Sequence, residues 1–196
     1  MLKVGITGNI GSGKSTITKI FAQLGIPIYD ADSRAKAVMV EDPILVQAIK
    51  KLLGENSYFG DGALNRNFIS SQVFKNAELL NGLNSLVHPA VANDFETWVA
   101  KQNAPYVLKE AALLIESKSY LVLNQLIVVL ADEEIRLKRT MRRDEADEEM
   151  VLSRMRNQMP QEEKAKYAKF LIYNNNDLLI PQVMKIHQQL LELASK

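Results

Sequence analysis

Apolar residues along this chain fall in five compact runs, and the stretches between them carry helical spacing. "LKVGIT" (2–7), "PYVLKEAALL" (105–114), "QLIVVLA" (125–131) and "KFLIYN" (169–174) are aliphatic or β-branched and of strand length. Continuous runs of this kind predict strands buried on both faces, as in a parallel sheet. "IPIYD" (26–30) predicts a shorter fifth strand. "KSTITKIFAQLG" follows the first run with helical spacing, and Gly25 stands where a helix terminator belongs. Strands alternating with helices predict an α/β fold with right-handed crossovers.

Two stretches break the alternation. Residues 32–102 hold no convincing strand but several helical patterns, including "DPILVQAIKKLLG" and a segment from about Asn76 to Lys101. Asp42 before Pro43 makes a good N-cap and first-turn pair. The stretch therefore reads as a helical insertion within a single domain spanning 1–196. Residues 139–166, "RTMRRDEADEEMVLSRMRNQMPQEEKAK", are dense in charge and predict surface helices suited to a mobile lid.

The first loop carries the clearest chemistry. "GNIGSGKST" (8–16) satisfies G-x-x-x-x-G-K-[ST] through Gly8, Gly13, Lys14 and Ser15. Glycines let the backbone turn tightly and aim several N–H groups at one point. The helix that starts near Lys14 directs its positive dipole end there too. Lys14 adds a full charge for β- and γ-phosphates, and the Ser15 hydroxyl suits Mg²⁺. A dinucleotide fingerprint fails, because counting from Gly11 places Thr16 where a glycine is required. A bound nucleoside triphosphate leaves a kinase, a GTPase-type switch or an ATPase motor. "IVVLAD", ending at Asp132, imitates a metal-binding acid at a strand end, but "DEEIRLKR" follows at once, so Asp132 is more simply a helix N-cap. No guanine-selecting N-K-x-D occurs.

Composition narrows the setting. The 196 residues are 47% hydrophobic and 24% charged, with net charge +1, so no overall field favours nucleic acid or anionic membranes. There is no cysteine, which excludes disulfides and thiolate metal sites and is compatible with a reducing cytoplasm. No apolar run approaches the roughly 20 residues that span a bilayer. The N-terminus enters a strand directly, so no secretory signal is expected.

Candidate acceptor-side residues follow. "YDAD" (29–32) closes the short second strand, and in an extended chain Asp30 and Asp32 point to the same side. A carboxylate beside the phosphate loop could take the proton of an attacking hydroxyl; Asp32 could also cap the helix "SRAKAVM". Arg66 in "LNR" could grip an anion or remain a solvated charge. His88, before Pro89, could touch substrate or mark a helix boundary, the plainer reading. Arg139 and Arg143 in "RTMRRD" lie four apart on one helix face, with Arg142 beside them, an arrangement suited to a polyphosphate. The amides of "NNN" (174–176) could meet a base edge or simply make a turn.

In this order the segments resemble the dephospho-CoA kinase family over nearly the whole length. "VGITGNIGSGKSTITKIFAQLGIPIYDAD" is similar to its P-loop, first helix and D-A-D segment. "LNR", "LVHP", "RTMRRD" with Gln158, and "YNN" (173–175) are similar to its later motifs. "ALLIE" (112–116) departs from the family's P-L-L-[FV]-E, with Ala112 for proline but Leu113, Leu114 and Glu116 kept. The resemblance implies a P-loop NTPase three-layer fold with a parallel five-stranded sheet, a CoA-binding insertion at 32–102 and a lid at 139–166. It implies ATP-dependent phosphorylation of the 3′-hydroxyl of dephospho-CoA by a cytoplasmic, monomeric enzyme with no nucleic-acid or membrane partner. ATP would lie on Gly11, Ser12, Gly13, Lys14, Ser15 and Thr16, with Mg²⁺ on Ser15, Arg139 and Arg143 in the lid, and Asn174 near the adenine. Asp32 matches the family's proposed base, and Lys14 and Arg143 would share the catalytic work. Arg66, His88, Leu113 and Glu116 would meet the acceptor. A P-loop kinase for a nucleoside monophosphate, or an ATP-gated switch protein, are the competing readings.

Overall fold

The computed structural model describes residues 1–74 and 76–195. Contacts divide the chain into two compact units, one made of Met1–Asp30 with Gln102–Lys196 and the other of Ala31–Lys101.

The first unit is built on five parallel strands: β1 (Leu2–Gly8), β2 (Ile28–Asp30), β3 (Tyr106–Glu110), β4 (Gln125–Leu130) and β5 (Phe170–Tyr173). Their order across the sheet is β2-β3-β1-β4-β5, so the strand that opens the chain lies at its centre. One face carries Val4, Ile6, Leu108, Ile127, Val129 and Ile172 against Ile17 and Phe21 of α1 (Lys14–Gln23) and Val183, Ile186 and Leu190 of α9 (Leu179–Ala194). Each such side chain contributes about 1.5–3 kcal/mol on burial, which is why these runs are apolar. On the opposite face, a side chain at Gly5 would come within 2.7 Å of Leu123 and 2.8 Å of Leu126, so glycine lets those leucines lie against the strand. This is the parallel five-stranded α/β fold that the alternation predicts.

β3 is shorter than its apolar run. The pairing with β1 ends at Glu110 opposite Ile6, and residues 111–118 turn. Leu114 and Ile115 are buried inside that turn, so the sequence stays apolar after the strand has stopped. Between β4 and β5 the chain forms α6 (Glu133–Asp144), α7 (Glu148–Arg156) and α8 (Gln161–Ala165).

The second unit is helical: α2 (Ala31–Glu41), α3 (Pro43–Leu53), α4 (Arg66–Val73) and α5 (Ala77–Val99). Asp42 caps α3 by accepting from the Ile44 and Leu45 amides, and Asn76 caps α5 in the same way. Arg34 of α2 reaches Asp94 of α5 through Nε at 3.0 Å and Nη2 at 2.7 Å. α5 runs straight through Pro89, so His88 lies inside the helix and not at its boundary. Leu83, Val87, Val91 and Phe95 are all buried, and this four-residue stripe outweighs the roughly 3 kcal/mol that an interior proline costs. Among the described residues no helix is long and apolar enough to cross a membrane.

Candidate active site

In open parallel sheets, ligands bind outside the carboxyl ends of the strands. At that edge β1 runs out into the phosphate loop. Gly11 has φ +76° and Gly13 φ +89°, left-handed values that favour glycine. A Cβ on Gly11 would run into the Arg136 carbonyl, and one on Gly13 into the Asn174 amide. Gly13 is the N-cap of α1 and offers no side chain to the first helical amides. First-turn amides suit an anion, although that of Thr16 also donates to the Gly13 carbonyl at 3.1 Å. Lys14 Nζ folds back onto the Gly8 carbonyl at 2.9 Å.

The loop is held from behind by three elements. Asn174, directly after β5, donates Nδ2 to the Ser12 carbonyl at 2.8 Å. Arg139 of α6 donates to the Asn174 carbonyl at 3.0 Å, so one asparagine joins the loop to an arginine of α6. Gln158 Oε1 accepts the Ile10 amide at 2.8 Å, and Asn9 Nδ2 donates to the Met159 carbonyl at 3.0 Å. The root of the 139–166 segment is thus tied to the first residues of the loop.

Glu110, at the end of β3, is a site residue that sequence reasoning missed. Its Oε1 accepts Ser15 Oγ at 3.3 Å and its Oε2 accepts Thr18 Oγ1 at 3.0 Å. Burial pushes its carboxyl above the ordinary range, while the Thr18 hydroxyl and the Lys14 charge oppose that shift. Asp30, opposite Glu110 in the β2–β3 register, adds to it. The only sequence signal was an acid inside an apolar run. Ser15 beside a carboxylate is the oxygen chemistry that Mg²⁺ takes together with nucleotide phosphates and water. Among the described residues no group of three His, Cys, Asp or Glu side chains could hold a metal alone.

Asp132 meets the capping expectation in position but not in side-chain bonding. It occupies the N-cap position of α6, but its side chain caps no amide and accepts Asn175 Nδ2 at 2.8 Å. Asp32 differs as well: α2 begins at Ala31, so Asp32 lies in its first turn, neither in an extended chain beside Asp30 nor at the N-cap. Asp32, Arg66 and His88 are exposed residues of the Ala31–Lys101 unit.

Leu113 is 47% exposed in the turn after β3, whereas Glu116 is engaged within it. Glu116 Oε1 takes Lys164 Nζ at 2.8 Å and the Met159 amide at 3.3 Å. Lys164 is fully buried and also donates to the Ala112 carbonyl at 3.0 Å, while Glu116 Oε2 is buried without a partner. Lys164→Met should lower the free energy of unfolding by about 2 kcal/mol, because it strands a half-buried carboxylate. Denaturant unfolding measures this, and an unchanged midpoint would show that the pair contributes nothing net.

Arg143 and Arg154 of the 139–166 segment are also engaged. Arg143 Nε and Nη2 lie 2.7 and 3.1 Å from the two Asp144 oxygens, and Arg154 Nη1 lies 2.6 Å from Oδ2. These hydrogen bonds hold the Asp144 carboxyl well below the usual carboxylate range.

A phosphate loop, an adjoining acid and nearby arginines describe a phosphotransferase site, and comparison with known proteins gives its family. Residues 2–179 match the family model described as dephospho-CoA kinase. A dephospho-CoA kinase from Bacteroides fragilis is 35% identical over 187 residues, 94% of this chain and 91% of its own. A solved structure from Thermus thermophilus superposes with TM-score 0.84 at 32% identity, covering 97% of this chain and 96% of its own. Dephospho-CoA kinase from Campylobacter jejuni superposes with TM-score 0.70 at 27% identity over 97% of each chain. The chain belongs to the dephospho-CoA kinase family.

Proposed function

We propose that the site built around Gly8–Thr16 carries phosphoryl transfer from ATP to the 3′-hydroxyl of dephospho-CoA. The activity is the ATP-dependent phosphorylation of dephospho-CoA in coenzyme A biosynthesis. The observation that supports this site assignment best is Asn174, which holds the Ser12 carbonyl and the Arg139 guanidinium together. Donor grip and lid charge are thereby one connected structure.

In this reading Gly11, Ser12, Gly13, Lys14, Ser15 and Thr16 hold the triphosphate through backbone amides and the Lys14 ammonium. Mg²⁺, when bound, neutralises charge on the β- and γ-phosphates. Ser15 would hold it, and Glu110, by accepting a hydrogen bond from the Ser15 hydroxyl, turns the Ser15 lone pairs outward for that purpose. Asp32 takes the proton from the 3′-hydroxyl as its oxygen bonds to the γ-phosphorus. The bond from the γ-phosphorus to the β–γ bridging oxygen breaks, and ADP leaves with the electron pair. Arg139 and Arg143 balance charge on the group in transfer. The 32–102 insertion recognises the acceptor, with Arg66 and His88 among its contacts, and Leu113 and Glu116 border it; Asn174 lies towards the adenine. The 139–166 segment closes as a lid that excludes water. The enzyme works as a cytoplasmic monomer without nucleic-acid or membrane partners.

Coupled ADP release with a panel of acceptors tests the assignment. Release dependent on dephospho-CoA is expected. Release dependent on a nucleoside monophosphate, or none, would reject it. Glu110→Gln should raise the Mg²⁺ concentration needed for tight ADP binding by about tenfold, the scale of one lost charge-assisted contact. A fluorescent ADP analogue titrated at several Mg²⁺ levels reads this directly, and an unchanged Mg²⁺ midpoint would reject the orienting role.

A further inference from the structure

We propose that Asp144 and Arg154 form an exchange device that holds Arg143 and releases it to the nucleotide at little cost; this rests on the reading of Arg143 as a polyphosphate ligand. Asp144, the last residue of α6, binds two guanidiniums at once: Arg143 from its own helix and Arg154 from α7. Two positive charges share one negative charge, so the cluster holds a surplus cation.

The geometry determines which arginine leaves. Arg143 is one helical turn beyond Arg139 on the same face of α6. Arg139 is bonded to Asn174, which carries the Ser12 carbonyl of the phosphate loop. Arg143 thus shares its helix face with the arginine that is joined to the phosphate loop, whereas Arg154 belongs to the next helix. An arginine that left a singly paired carboxylate would strand that charge. Here Arg154 remains on Oδ2 and keeps Asp144 paired. The side chains of Arg143 and Arg154 are 60% and 47% exposed, so both contacts are of the weak, water-screened kind that a triphosphate can outcompete. Arg154 is thus a positioning residue: it acts on the nucleotide by lowering the cost of moving Arg143.

A double-mutant cycle on binding of a fluorescent, non-hydrolysable ATP analogue with Mg²⁺ tests this without turnover. Arg154→Ala should weaken binding about fivefold, as an exposed ion pair allows, because Asp144 then holds Arg143 alone. Asp144→Asn should bind as tightly as the parent or up to about threefold tighter, since Arg143 is no longer stored. The double variant should match Asp144→Asn, so the Arg154→Ala penalty vanishes. In Asp144→Glu, which keeps the charge, the penalty should return. An Arg154→Ala penalty that persists beside Asp144→Asn would overturn the proposal, because Arg154 would then act independently of Asp144. Weaker binding in Asp144→Asn with an unchanged melting temperature would overturn it as well. The acceptor plays no part in this measurement, so failure of dephospho-CoA-dependent ADP release beside an intact cycle would reject the functional reading alone.

Discussion

Lys14→Met is expected to lower kcat/KM for ATP by about 10³-fold while leaving the fold intact. Removing one preorganised charge from a site of this kind costs roughly 10²–10³ in rate, and Lys14 is the cation built into the loop itself. Its ammonium lies 2.9 Å from the Gly8 carbonyl, so it is already inside the turn that would surround the phosphates. Methionine keeps most of the stem and loses the charge and that hydrogen bond. The structural loss is then about 1 kcal/mol, a few degrees in melting temperature. Steady-state kinetics beside thermal unfolding separates the two effects. A rate within tenfold of the parent would mean that Lys14 does not neutralise the triphosphate.

Asp32→Asn is expected to lower kcat by about 10²-fold with little change in KM for dephospho-CoA. Asparagine has the same size and keeps its place in the first turn of α2, but it cannot accept the hydroxyl proton. The side chain is exposed, so its replacement should alter stability by less than about 0.5 kcal/mol. A kcat equal to the parent's would remove Asp32 from the base role. An intact kcat with a much higher KM would make it a binding residue instead.

The parts of the fold that were legible in sequence are those with local causes. The phosphate loop lies between its strand and its helix, Gly25 has φ +80° just beyond α1, and Asp42 caps α3 as its pairing with Pro43 predicts. The misses have non-local causes. Glu110 meets Ser15 because β3 inserts between β2 and β1, and parallel pairing between such distant segments leaves no local mark. The end of β3 was hidden because Leu114 and Ile115 remain buried after the pairing stops. Pro89 suggested a helix boundary at His88, but a buried stripe on both sides of it overrode local propensity. In "YDAD" the last two residues join α2, where an acid in the first turn suits the helix dipole, so the extended-chain argument for Asp32 failed at a single backbone transition. Asn174 read as a turn residue or a neighbour of the adenine, and its contact with Ser12 adds a tie to the phosphate loop that local sequence does not show.

The central place of β1 also sets an order of assembly. Its partners begin with Tyr106 on one side and Gln125 on the other, about a hundred residues further along the chain. At synthesis rates of roughly 5–20 residues per second, the first strand leaves the ribosome many seconds before either neighbour exists. Throughout that interval its apolar side chains have no sheet to join. The helices of Ala31–Lys101 depend on contacts within their own segment and can form meanwhile. The nucleotide loop, although encoded before its sheet neighbours, is therefore among the last parts of the nascent protein to acquire its shape, and chaperone demand should be greatest while the helical unit is already folded and the central strand is still waiting for its partners.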